Sequence, residues 1–280
     1  MYPEIEQLKD YFNNQPDVLM AFVFGSRARG KVGPMSDWDI GVYFRPLRSG
    51  VEWEEWGREY PLEDKVWEDC IGILRADDVD LVVLNRCPAG IAADAIEGAP
   101  LVIKDRGVFT RFMLIVTGEA ADFRQTAAEY SQVYWRSFSL NAKDKDILNR
   151  RLIFLDSELR DISVFRNLDW QIYQKEHSRR RDVERWIENI MNAAIDIAKT
   201  ALASCHRPVP ANYREILAGL VVLPGFPVDL ARQLAEWAKL RNILAHEYLD
   251  IRWERIKVFI DKAEPCFRRF IPEIRRMLAG

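Results

Sequence analysis

Residues 18–44 read VLMAFVFGSRARGKVGPMSDWDIGVYF, and this stretch decides the fold of the first half of the chain. It holds two apolar runs of strand length, residues 18–24 and 38–44, joined by a polar segment that opens with Gly25-Ser26. A short apolar run that ends at turn residues is typical of a buried strand. The stretch therefore predicts two strands, with a glycine turn at the end of the first.

Outward from this stretch, the sequence predicts two helices and two more strands. They are an opening helix with Ile5, Leu8 and Phe12 on one face, a helix from Val51 to Leu74, and strands at 79–84 and 101–103. Strands mixed with helices in this way favour a sheet covered by helices. The first half is therefore predicted to be an α/β (α+β) domain.

The second half carries helical patterns only, at residues 145–162, 179–204, 211–220, 228–246 and 252–278. The longest pattern repeats every three or four residues, as one buried helix face does. Its members are Val183, Trp186, Ile187, Ile190, Met191, Ala194, Ile197, Ala198 and Ala201. We therefore expect an all-α helical bundle. The predicted boundary lies near 138–146, which gives domains at 1–138 and 145–280.

The composition, with 49% hydrophobic and 30% charged residues in 280, is typical of a globular protein. The opening MYPEIEQLKDYF reads as an amphipathic helix rather than a signal peptide, and no apolar stretch approaches the roughly 18 residues of a membrane span. We therefore expect a cytoplasmic protein with no membrane partner. The four cysteines and three histidines are too dispersed to predict a disulfide framework or a zinc cluster.

The two halves of the chain differ in charge. Residues 1–140 carry 15 basic and 23 acidic side chains, a net of −8, whereas residues 141–280 carry 25 and 20, a net of +5. The acidic half can attract cations and the basic half a polyanion, although solvated helix faces explain the same numbers.

Two aspartates, Asp37 and Asp39, stand two residues apart at the start of the second predicted strand. Alternate residues of a strand face the same way, and two carboxylates about 4 Å apart repel by roughly 4 kcal/mol at an effective dielectric near 20. Asp80 opens the third predicted strand and can join them if the strands are neighbours. Magnesium commonly binds one or two carboxylates together with substrate phosphates, so the pattern predicts a Mg²⁺ site.

The glycine turn before these aspartates has the composition of a phosphate-binding loop. Gly25 lets the backbone approach a phosphate closely, and the Ser26 hydroxyl can donate to it. Arg27 and Arg29 add positive charge beside them. The sequence therefore predicts that these four residues bind a nucleotide.

The order Gly25-Ser26, ten residues, Asp37-Trp38-Asp39 resembles the motif of the minimal nucleotidyltransferases of the DNA polymerase β superfamily. The resemblance covers residues 1–138. It implies transfer of a nucleoside monophosphate from a nucleoside triphosphate with release of pyrophosphate. It also implies metal binding by Asp37 and Asp39, and a role for Asp80 in the metal site and in deprotonating or positioning the acceptor hydroxyl.

A second motif lies in the helical half, at Arg241-Asn242-Ile243-Leu244-Ala245-His246-Glu247-Tyr248. It resembles the R-x4-H-x-Y motif of the toxin-like HEPN domains, over about residues 145–280. The resemblance implies a metal-independent ribonuclease that acts as a homodimer, with Arg241 and His246 catalytic, Asn242 supporting and RNA as partner. The arginine cluster of Arg179–Arg181 and Arg185 can bind RNA phosphates. The alternative interpretation is that these arginines form the solvated start of a helix.

Domains of these two kinds usually form a toxin–antitoxin pair in which the transferase adenylylates the motif tyrosine and silences the ribonuclease. By that resemblance, Tyr248 is the expected acceptor of AMP. An aminoglycoside-type antibiotic nucleotidyltransferase with an accessory helical domain is the alternative, and the second motif has no role in it. A third interpretation makes the helical half a non-enzymatic sensing or dimerisation module.

Overall fold

A computed structural model of the chain describes residues 3–28, 37–47, 50–76, 78–136, 140–246 and 253–279, and for Arg136, His246 and Ala279 it describes only the backbone. The chain divides into two compact units, Met1–Ala120 and Ala121–Gly280. None of the described helices is both long and apolar enough to cross a membrane.

The first unit contains a mixed four-stranded sheet in the order β3-β2-β1-β4. Strand β1 is antiparallel to β2 and β4, whereas β2 and β3 are parallel. The elements are α1 (Pro3–Asn13), β1 (Val18–Phe24), α2 (Gly25–Ala28), β2 (Trp38–Phe44), α3 (Glu63–Leu74), β3 (Val79–Val83), α4 (Ala89–Ile96), β4 (Ala99–Ile103) and α5 (Arg106–Arg136).

Helices cover both faces of this sheet, which explains why β1 is apolar throughout. All seven residues of β1 are buried. On one face, Leu8 and Phe12 of α1 pack in a cluster with Val23. On the other, Phe112 of α5 packs in a cluster with Phe22. The predicted α/β sheet with helices on it is confirmed.

The predicted helix at 51–74 is wrong in its first half, because α3 begins only at Glu63. The segment before it is held by tertiary contacts: the Trp53 side chain donates to Glu119 Oε2 at 2.9 Å, and the backbone N–H of Glu52 donates to the Tyr43 hydroxyl at 2.8 Å. Glu54 there has a φ of 58°, which breaks a helix. Burial of these side chains against the sheet decides the local backbone.

The second unit is all-helical in its described residues, as predicted. Its elements, after the end of α5, are α6 (Ala142–Arg160), α7 (Ile162–Phe165), α8 (Trp170–Lys175), α9 (His177–Ser204), α10 (Tyr213–Ala218) with a 3₁₀ turn (Gly219–Val222), α11 (Val228–His246), α12 (Trp253–Lys262) and α13 (Glu264–Ala279). Helix α9 is central to the core, and every residue of its predicted apolar face is buried.

Several helix boundaries differ from the predictions. The pattern at 252–278 forms two helices, because Pro265 at the start of α13 lacks the N–H that a continuous helix needs. The helix predicted at 211–220 begins at Tyr213, where the Asn212 side chain caps it by accepting from the Glu215 N–H at 2.9 Å. The helix predicted at 145–162 begins three residues earlier, after the cap of Asn141.

Helix α5 was not predicted, and the division of the chain into two units falls within it, between Ala120 and Ala121. The boundary expected from the sequence, near 138–146, falls at the gap between α5 and α6. The division comes earlier because the second half of α5 packs in the helical core, where Tyr130 is fully buried and Phe123 partly so.

Candidate functional site

Three aspartates meet where β2 and β3 begin. Asp39 of β2 and Asp80 of β3 are directly paired in the parallel register, so their side chains lie on the same face of strands that run roughly 4.8 Å apart. The N–H of Trp38 donates to the carbonyl of Asp78 at 3.0 Å, which fixes this register. Asp37 immediately precedes β2 and is exposed.

Burial and neighbouring charges both affect the pKa of Asp39. The pKa of Asp39 is raised above its usual range, first because the group is partly buried and then because Asp80 and Asp37 lie near it. Burial and like charge both disfavour the ionised carboxylate. The arrangement therefore favours a cation at this point.

Gly25 lies directly against this cluster. It follows β1, whose last residue Phe24 pairs with Asp39, and it has a φ of +70°. A Cβ atom at this position would come within 1.9 Å of Asp39 Oδ2. Both the backbone conformation and the space therefore require glycine, because any other residue would push the carboxylate away.

Two other residues predicted to bind the nucleotide, Ser26 and Arg27, directly follow this turn. Ser26 is in α2 and is partly buried. The Arg27 side chain donates from Nε to the carbonyl of Asp37 at 3.2 Å, and its guanidinium lies 4.5 Å from the centre of the Trp38 ring. Arg27 thus braces the chain that carries Asp37 into β2. Arg29 lies outside the described residues.

The donor set fits a hard divalent cation that is completed by a substrate. Within the described ranges, no group of three or more histidine, cysteine, aspartate or glutamate side chains can hold a metal ion alone. Magnesium does not need such a group, because it commonly takes one or two carboxylates and fills its other positions with water and substrate phosphates. The pairing of Asp39 with Asp80 on neighbouring strands is the observation that fits such an ion.

In the second unit, the Arg241 guanidinium is held on three sides. Its Nη2 donates to Asp122 Oδ2 at 3.1 Å, its Nε to Asn192 Oδ1 at 3.2 Å, and its Nη1 to Asn242 Oδ1 at 3.4 Å. Its Cζ also lies 4.5 Å from the centre of the Tyr213 ring. The side chain is only 12% exposed. The motif arginine is therefore fixed by residues from four helices.

Arg241 lines a polar cavity of about 320 Å³. Lys199, whose side chain is 6% exposed, also lines this cavity and pairs there with Glu129 and with Asp196, the latter at 3.0 Å. Arg151 pairs with Asp196 as well. The acids beside Lys199 and Arg151 are thus neutralised within the protein, and Asp122, which lines the same cavity, pairs with Arg241.

The remaining residues of the second motif lie at the end of α11. Asn242 is buried, 1% exposed, next to Arg241. His246 is the last residue of α11, and its side chain lies outside the described part of the chain, as does Tyr248. Their roles therefore remain predictions.

The arginine cluster at the start of α9 is partly neutralised. Arg180 pairs with Glu184 at 3.0 Å and Arg185 with Glu188 at 3.2 Å. Arg179 and Arg181 are exposed. Both interpretations of this cluster remain open.

Sequence analysis missed Asp122 and Asn192, which accept hydrogen bonds from Arg241 and lie on other helices. They lie 119 and 49 residues before it in the chain. Neither stands in a motif, and Asp122 is on α5, which was itself not predicted. No local signal in the sequence identifies them.

Comparisons with known proteins agree with the division into two units. Residues 6–107 match the family model "Polymerase beta, Nucleotidyltransferase", and residues 155–274 match "Ribonuclease HepT-like". The chain is also similar to a solved structure described as "Crystal structure of the toxin-antitoxin with AMP-PNP", with 18% identity over 47% of this chain and 95% of that one and a TM-score of 0.35. A comparison with curated proteins returned no match.

Proposed function

We propose that this chain transfers AMP to Tyr248, either its own or that of another copy, and thereby inactivates its ribonuclease. The chain joins a polymerase β-type nucleotidyltransferase domain to a HepT-like ribonuclease domain. The observation that carries the transferase part is the cluster of Asp37, Asp39 and Asp80 against the Gly25 turn. It places acidic oxygen donors beside a backbone turn that admits no side chain, as a site for a metal-bound triphosphate needs.

In the proposed reaction, the tyrosine oxygen attacks the α-phosphorus of ATP, a P–O bond to the new ester forms, and the bond to pyrophosphate breaks. Asp37 and Asp39 would hold Mg²⁺, which supplies positive charge to the triphosphate when it is bound. Asp80 accepts the proton of the attacking hydroxyl, a role that suits an exposed carboxylate in register with Asp39. Ser26 donates to the phosphates.

Control of the ribonuclease follows from charge. Tyr248 lies two residues after His246, which ends the helix that carries Arg241. An AMP group on Tyr248 brings a phosphate near the cation that RNA phosphate needs. In the unmodified chain, Arg241 stabilises the extra negative charge of phosphodiester attack, and His246 transfers protons. Because modifier and acceptor share one chain, a tether raises their effective concentration wherever its geometry allows contact.

The mass of the intact protein tests the transferase. After incubation with ATP and Mg²⁺, we expect the wild type to gain the mass of one or more AMP groups, and Asp39→Asn and Tyr248→Phe to gain none. Tyr134→Phe, a partly buried tyrosine of the same unit, is the control and should react as the wild type does. An unmodified protein that instead transfers AMP to an aminoglycoside would overturn the proposal.

Growth of an expressing host tests the ribonuclease. We expect expression of Asp39→Ala, which cannot modify Tyr248, to arrest growth and to degrade RNA. The double variant Asp39→Ala/His246→Ala should do neither. Normal growth with the first variant at equal protein level would remove the ribonuclease from the proposal. The predicted homodimer is tested separately, by sedimentation of the wild type.

A further inference from the structure

We infer that Asp122 is a positioning residue for the proposed ribonuclease: it fixes the Arg241 guanidinium in the orientation in which that group contacts the RNA phosphate. The inference rests on the proposed function of the second motif. The evidence for this inference is that the Arg241 side chain donates hydrogen bonds to Asp122 and Asn192, which lie far from the motif in the sequence.

The partners of Arg241 fix both the position and the plane of its guanidinium. Asn192 takes Nε and Asp122 takes Nη2, on two different nitrogens of the same planar group. The Tyr213 ring lies against the guanidinium, and it is itself held by an edge contact with Phe123 at 5.4 Å between ring centres. A planar cation with its edges and one face engaged has little freedom to rotate.

Helix α5 supplies several parts of this arrangement from adjacent positions. Asp122 and Thr126 are four residues apart, so they share one helix face, and the Thr126 hydroxyl lies 3.4 Å from the Tyr213 hydroxyl. Phe123 packs on the same tyrosine. One face of α5 thus holds both the guanidinium and the ring that stacks on it.

The cavity distinguishes this ion pair from a merely structural one. Arg241 lines the polar cavity, so a phosphate that enters the cavity can reach it. Asp122 is 43% exposed, whereas its partner is 12% exposed, so the carboxylate holds the arginine from the solvent side. Asp229 with Arg269, by contrast, is an exposed pair at 2.9 Å on α11 and α13, and neither residue lines the cavity.

Loss of the Asp122 charge should affect turnover and leave RNA binding at least as strong. Asparagine keeps the size of the side chain, and the guanidinium keeps its own charge, so attraction of RNA should not weaken and KM should not rise. A guanidinium that is no longer held in place stabilises the transition state less well. Since misplacement by about 1 Å can cost about 100-fold in rate, we expect Asp122→Asn to lower kcat by about tenfold or more.

The test is steady-state cleavage of a fluorogenic single-stranded RNA of mixed sequence in the presence of EDTA. All variants are made in the full chain with Asp39→Ala, so that the transferase is silent. We expect Asp122→Asn to lower kcat without raising KM. Asp229→Asn, which removes an aspartate from an ion pair on α11, the helix of Arg241, should change neither. In an Arg241→Ala chain, adding Asp122→Asn should lower kcat no further, because the aspartate acts only through the arginine.

Three outcomes would overturn the inference. If Asp122→Asn cleaves as fast as the control, the carboxylate does not position the arginine. If it cleaves faster, the carboxylate competes with RNA for Arg241 instead. If its effect on kcat is the same with and without Arg241, it acts on the structure at large. Failure of the proposed function itself looks different, because Arg241→Ala would then leave cleavage unchanged or no variant would cleave.

Discussion

Glycine is needed at position 25 for two reasons, its positive φ and the space beside Asp39, and the variant Gly25→Ala tests both. The new Cβ would lie 1.9 Å from Asp39 Oδ2, whereas real Cβ contacts are essentially never closer than 3.0 Å, so the atoms must separate by at least 1.1 Å. A displacement of about 1 Å at a catalytic group can cost about 100-fold in rate, which equals about 2.7 kcal/mol of activation free energy. In addition, alanine at φ +70° costs roughly 1–2 kcal/mol of stability.

Gly225→Ala is the matched control for the backbone term. Gly225 has a φ of +71°, and among the described residues no neighbouring atom lies within 4 Å of the point that its Cβ would occupy. We therefore expect both variants to lose a similar amount of unfolding free energy, and only Gly25→Ala to lose transferase activity as well. Urea unfolding measures the first quantity, and pyrophosphate release from ATP measures the second. Equal rates of pyrophosphate release in the two variants would refute the argument that Gly25 protects the position of Asp39.

Three further predictions concern charged groups. Asp39→Asn should raise the melting temperature at pH 7 without metal, by about 2–4 °C for each kcal/mol gained, because burial and the nearby Asp80 and Asp37 raise the pKa of Asp39 and the folded chain is less stable once the group ionises. The gain should shrink at acidic pH, and an unchanged melting temperature would show that ionised Asp39 does not destabilise the fold. The pKa of Glu129 is lowered, chiefly by its hydrogen bond with Lys199, so the stability that this group contributes is complete above pH 4.5 and lost below it. In acid unfolding, the unfolding free energy of Glu129→Gln should therefore fall less steeply with decreasing pH than that of the wild type, and an equal slope would contradict this. Lys199→Met should lower the unfolding free energy, measured in urea, by about 2–4 kcal/mol. This is somewhat less than for a fully buried pair, because the acidic partners of Lys199 are partly exposed, and an unchanged unfolding free energy would show that these ion pairs do not stabilise the fold.

The sheet could be predicted because its central strand β1 is apolar over its full length. Val18 to Phe24 cannot be placed at a surface without exposing apolar side chains on both faces, so the run had to be a central element. The pairing of Asp39 with Asp80 followed once the strands were assumed to be neighbours. What the sequence could not supply was the reason for Gly25, because that reason is the carboxylate of a residue on another strand.

Helix α5 shows why the remainder was not predicted. The run from Phe112 to Val116 is apolar at five successive positions, and periodicity cannot distinguish a buried strand from a buried helix in so short a run. In the helix, Leu114 is 54% exposed while Phe112 and Val116 are fully buried. Farther along, the same helix contributes Tyr130 to a different core, so no single apolar face runs through it.

The geometry of the second motif depends on that unpredicted helix. Arg241 and His246 are five residues apart, which separates them by roughly 140° around an ideal helix, so they converge only if the helix ends or the arginine reaches round. Helix α11 ends at His246. The arginine does not extend freely, however, because Asp122, Asn192 and the ring of Tyr213 determine its direction. Because these contacts fix the cation, a charge change at Asp122, remote from the motif in sequence, is expected to act on turnover rather than on RNA affinity.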